Sequence, residues 1–115
     1  MKQINYIGRD LLTGDQIADA ILNYATALAR RARADRVDVP VLINDRVSRV
    51  EFVLGPASQL IVESVDDGRE EPVDDALVAD LERRTELLHS PRPVATAQRA
   101  DAVAESLDLP GDLLD

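Results

Sequence analysis

The chain has no cysteine and no tryptophan, and it holds two tyrosines, one phenylalanine, one histidine and five glycines. Each scarcity removes a class of function. Without cysteine there is no disulfide framework, thiolate metal site or thiol nucleophile. His89 has no carboxylate or second histidine at a motif-like spacing, and one imidazole does not make a zinc site without unusual carboxylate help. Beside "SPRP" it reads as a last-turn residue favoured by a helix dipole. Tyr6, Tyr24 and Phe52 are too few to stack single-stranded nucleic acid while also filling a core. No apolar run approaches the length of a spanning helix. The opening "MKQINYIGRD" lacks the apolar stretch and small-residue cleavage site of a secretory leader.

Positive charge is scarce as well. Thirteen basic residues stand against 22 acidic ones, for a net charge of −9. That balance repels phosphates and anionic lipid, whose binding rests largely on Lys and Arg. Lys2 is the one lysine, and an arginine excess of this kind fits codon bias in a GC-rich bacterial genome. The expectation is a soluble, cytoplasmic protein with no cofactor, no metal, no nucleic-acid partner and no membrane partner.

What remains is the composition of a folded domain, 45% hydrophobic and 30% charged over 115 residues. A chain of this length buries roughly 65% of its unfolded surface, enough for its own core. "INYI" places Ile4 and Tyr6 on one face and Asn5 and Ile7 on the other, which predicts a strand ending near Gly8. "DLLTGDQI" follows. Thr13 and Gln16 have capping-box spacing, with Leu12 and Ile17 as the staple. Asp10 and Asp15 beside a single glycine argue against a phosphate loop at this helix start.

The helix is predicted from about Thr13 to Ala34. Ile17, Ile21, Tyr24, Leu28 and Ala32 form its stripe, with Ala18, Leu22, Ala25 and Ala29 alongside. Tyr24 reads as a core residue with its tip at the surface. Three strand-like runs follow: "RVDVPVLI", "RVEFVLG" and "QLIVESV". Val37, Val39, Val41 and Ile43 share one face of the first, and Val50, Phe52 and Leu54 point inward from the second. In the third, Leu60 and Val62 oppose Ile61 and Val65. Pro40 lacks an amide donor and predicts an edge or a bulge. An antiparallel meander of the three is expected. "GPAS" lacks the pattern of a nucleophile elbow and reads as a turn.

"DDGREEPVDD", residues 66–75, is an acidic connector without calcium-loop spacing. It leads to a helix over about 75–88, with Asp74 as its cap, Leu77, Val78, Leu81, Thr85 and Leu88 on its face, and Asp80 paired with Arg84.

The fold expected from this pattern is α+β, a two-layer β-α-β-β-β-α domain over residues 1–89. Its sheet is mixed and mostly antiparallel, and the first two strands run parallel through a right-handed crossover if they are neighbours. Residues 90–115 form a weakly helical or mobile C-terminal segment. No nucleophile constellation, metal spacing or phosphate loop emerges, so no catalytic, cofactor or metal residue is assigned. The function expected is a noncatalytic protein-interaction or structural module. The alternatives are a nucleic-acid-mimicking inhibitor, drawn from the acid cluster at 66–75, and a small carboxylate-based enzyme. Alternation sends Ile7, Leu42, Val53, Ile61 and Val65 to the face away from the long helix. Such a face needs a cover, which predicts an interaction surface and a homodimer.

Overall fold

In a computed structural model, residues 1–89 are described. They form β1 (Lys2–Tyr6), β2 (Arg9–Thr13), α1 (Asp15–Arg30), β3 (Asp35–Ile43), β4 (Arg46–Leu54), β5 (Leu60–Ser64) and α2 (Asp75–His89). The class is α+β. The expectation for residues 90–115 lies outside the described residues.

The sheet has the order β4-β3-β2-β1-β5, and each neighbouring pair is antiparallel. Three expectations are thereby corrected. The order of elements is β-β-α-β-β-β-α, because Arg9–Thr13 is a strand. The sheet is antiparallel and not mixed, since β2 lies between β1 and β3 and the expected parallel neighbours never meet. The meander stops after β4, because β5 joins the far edge beside β1, with Ile4 opposite Val62 and Tyr6 opposite Leu60.

The missed strand explains the failed capping box. Ile7 and Gly8 both have positive φ, 52° and 75°, and close a tight hairpin between β1 and β2. A two-residue turn of this hand usually carries Asn-Gly, so Ile-Gly gave no hairpin signal. Thr13 ends the strand, fully buried, and its hydroxyl donates to the Pro40 carbonyl at 2.7 Å. The residue at the N-cap of α1 is Gly14, without a side-chain cap. A carboxylate distant in sequence serves instead, as Glu71 accepts the Asp15 amide at 3.1 Å. Gly14 is required here for closeness: a β-carbon would stand 2.2 Å from the Pro72 carbonyl oxygen.

Pro40 lies in an interior strand and yet keeps its amide side free. β2 pairs with β3 at Leu12↔Leu42, and the chain then leaves for α1. Beyond that point β3 has a ladder on the β4 side alone. The Asn44–Asp45 turn, with φ of 52° and 65°, closes β3 on β4 at Ile43↔Arg46. Counting alternate pairs from there makes Pro40↔Arg49 a pair whose amides point away from each other. Proline is tolerated for the reason expected, the lack of a partner at its nitrogen, although the strand as a whole is not an edge.

α1 buries Ile17, Ala18, Ala20, Ile21, Tyr24, Ala27 and Leu28. The flank it buries is the Ala20–Ala27 side. Leu22 and Ala29 remain exposed, contrary to expectation. The helix ends four residues earlier than expected, in a Schellman arrangement: the Arg33 amide donates to the Leu28 carbonyl, the Ala32 amide donates to the Ala29 carbonyl, and Ala32 takes a φ of 52°. Ala32 is therefore an exposed cap residue outside the stripe. The core partners of α1 are Ile4, Tyr6, Leu11, Val37, Val39, Val41 and Leu54 from the strands, with Leu81 from α2. Each large aliphatic side chain taken fully from water here contributes about 1.5–3 kcal/mol.

α2 begins as expected, with the Asp74 carboxylate accepting the Leu77 amide at 3.0 Å. It packs against α1 and flanks the open side of β3. Arg84 joins Asp80 and Asp35, each at 2.8 Å, while the Tyr24 hydroxyl donates to the same Asp35 carboxylate. Tyr24 is thus the core tyrosine with a polar tip. Burial, with the hydrogen bond to Asp35 second, raises its pKa and keeps the phenol neutral.

Candidate functional site

The sheet is strongly curled, and the curl builds the site. By order β4 and β5 are opposite edges, yet residues 55–59 alone connect them. Tyr6 of β1 closes the gap. Its ring lies 5.4 Å from that of Phe52 on β4, its hydroxyl donates to the Val53 carbonyl, and Ser58 Oγ is 2.9 Å from the same hydroxyl. Ser58 Oγ also accepts the Gly55 amide at 2.7 Å, and the Ser58 amide returns to the Gly55 carbonyl at 3.0 Å. The "GPAS" serine is consequently a turn residue that ties the loop to the sheet.

Above this tie runs an open groove of about 700 Å³, lined by the β1–β2 turn, by Val53, by residues 55–59 and by Ile61. Three of the five residues assigned to the outer face meet there. Ile7 is 81% exposed, Val53 55% and Ile61 60%. The other two do not join them. Leu42 is half-buried near the opposite end of the β3–β4 hairpin, and Val65 is half-buried beyond β5, its amide on the Met1 carbonyl. Strand alternation assigns all five to one face. It could not predict that curl gathers only those at one end of the sheet. Pro56, Ala57 and Tyr6 also line the groove, and a turn reading of "GPAS" gave no sign that it forms a wall.

Among the described residues, α2 does not supply the expected cover at this place. α2 lies on α1, so it does not shield Ile7, Val53 or Ile61. Ile7 is notable for its backbone too. A β-branched residue in the left-handed region is a genuine outlier, and the strain is held in a turn that places its side chain in solvent at the lip of the groove.

A second, more polar cavity of about 380 Å³ separates α2 from β3 and β4. Its charges are paired across it. Arg49 reaches Asp38 at 2.8 Å and Asp74 at 3.5 Å, while Arg84 holds Asp80. Asp35, adjoining it, has its pKa lowered by the Tyr24 hydrogen bond, with the Arg36 amide and Arg84 adding to the effect. That is the opposite of the raised value a general acid needs. Among the described residues no group of His, Asp or Glu is arranged to hold a metal ion, and no helix is long and apolar enough to cross a membrane.

The acidic segment 66–75 is partly engaged in holding the fold. Arg69 binds Asp67 and Asp45, each at 2.6 Å, and draws the Asp67 carboxyl down to about 2. Glu71 serves α1 and Asp74 caps α2. No protein-family model matches the chain, and neither a curated protein nor a solved structure is similar to it.

Proposed function

We propose that the protein is a noncatalytic interaction module of the cytoplasm and that its contact surface is the groove of Ile7, Val53 and Ile61. One observation carries this reading: three large apolar side chains, each more than half exposed, converge on one concavity whose floor is fixed by Tyr6 and Ser58. Contiguous exposed apolar surface of this kind marks a binding site more often than it occurs by chance. The strain at Ile7 supports it. Asn-Gly would close the same turn at lower cost, so the isoleucine stands there against the preference of the backbone. The partner expected is an apolar segment of another protein. The mimic reading is weakened because Asp67, Glu71 and Asp74 are turned to intramolecular partners. The enzyme reading is weakened by the pairing of carboxylates with guanidinium groups in the polar cavity.

The test is selection from a displayed peptide library on three proteins: the wild type, Ile7→Asn and Ile61→Asp. Wild type should enrich apolar sequences, and both variants should lose them. Ile7→Asn should at the same time melt higher than wild type, since it relieves the left-handed strain. Enrichment that is indifferent to both substitutions, or no enrichment at all, would place the contact surface elsewhere.

A further inference from the structure

The free edge of β4 is complementary to itself. Among the described residues β4 pairs on one side only, with β3. Because the two-residue turn closes on Ile43↔Arg46, the main-chain groups of Ser48, Val50, Phe52 and Leu54 point to β3, and those of Val47, Arg49, Glu51 and Val53 point outward. The Tyr6 hydroxyl on the Val53 carbonyl agrees with that phase. The outward residues read Val, Arg, Glu, Val, with Val47 62% and Val53 55% exposed and Arg49 and Glu51 both exposed.

We infer that a second copy of this chain adds to the sheet by antiparallel β4–β4 pairing about a two-fold axis at Val50. In this register Arg49 stands opposite Glu51 of the second copy, Glu51 opposite its Arg49, and Val47 opposite its Val53. The outward main-chain groups of Arg49 and Glu51 are then in phase to exchange hydrogen bonds, and the ladder ends at Val53, whose carbonyl already serves Tyr6. Charge selects the register. A shift to the next in-phase alignment on either side sets Arg49 against Arg49 or Glu51 against Glu51, and like charges directly opposite are destabilising. A long open edge with a valine at each end is otherwise a site of indiscriminate pairing. Self-complementarity gives it one closed, isologous partner.

This inference does not depend on the groove, and its test separates the two. Sedimentation equilibrium of the intact protein up to about 500 μM, with circular dichroism to verify folding, should find a wild-type dimer. Arg49→Glu and Glu51→Arg should each raise the dissociation constant about tenfold or more, and the double swap should return it to within about threefold of wild type. The rescue is read on the dissociation constant and not on stability, since Glu51→Arg sets a guanidinium opposite Asp38 of β3 and can restore within the fold part of what Arg49 gave it. Ile61→Asp should leave the dimer intact. A wild type that stays monomeric, a dimer indifferent to the single reversals, or a double swap that fails to restore pairing would each overturn the inference.

Discussion

α1 takes seven of its residues out of solvent, whereas α2, one residue shorter, takes out Leu81 alone. The first helix has a glycine at its N-cap and borrows a capping carboxylate from distant Glu71, yet Ile17, Ile21 and Leu28 reach the centre of the core. The second has the better-furnished ends and flanks: Asp74 as cap, Asp80 bound to Arg83 and Arg84, and Arg84 bound in turn to Asp35. Where burial is large, a helix tolerates a poor terminus. Where burial is small, capping and ion pairs must supply what the core does not, and they supply it in smaller units.

The sharpest way to break this contrast is to remove methylenes from each side. Ile21→Ala should cost about 2–5 kcal/mol in denaturant unfolding, the range for a large buried aliphatic. Leu81→Ala should fall in the same range, because it is the one fully buried side chain of α2, with Leu77, Val78 and Leu88 packed only partly against the core, while truncation of exposed Leu87 should have little effect. Equal losses at Leu81 and Leu87 would mean that α2 is not anchored through its core contact. Next in size is the cap. Asp74→Ala should cost about 0.5–2 kcal/mol, and native-state hydrogen exchange should locate that loss in α2 while leaving α1 protected.

The smallest effect is that of acid. Asp35 has a folded pKa below its ordinary value of about 3.9, so its contribution is present at neutral pH and is lost as the pH falls through the folded value. Asp67 behaves likewise, between about 4 and about 2. Both carboxylates meet solvent, and for the Asp35–Arg84 pair the contribution is at most about 1 kcal/mol. The melting temperatures of wild type and Asp35→Asn should therefore differ at pH 7 and converge as the pH falls below the ordinary carboxylate range and through the folded value. A gap that is constant with pH would show that Asp35 acts as a hydrogen-bond acceptor and not as a charge.

Much of the local structure was legible in the residues. Faces were read correctly on four strands, because the strand period is two and water penalises the wrong choice at Val37, Val39, Val41 and Leu54 alike. Asp74 as a cap and Asp80–Arg84 as a pair were legible because both contacts span fewer than five residues. β2 was not legible: its turn used Ile-Gly, and Thr13 offered a plausible cap that a buried bond to Pro40 outcompeted. The Glu71 cap on α1 was hidden for a related reason, its partner lying 56 residues away.

By itself the sequence determined the class of the domain and which side of each recognised strand faces the core, since these follow from hydrophobic periodicity along a local stretch. Tertiary structure alone decided that β5 crosses to β1, that the sheet curls until Tyr6 meets Val53, and that Leu42 and Val65 are left out of the groove. Strand order and curl are settled by competition among pairings distant in the chain, and alternation is blind to that competition because it is the same whichever neighbour a strand takes.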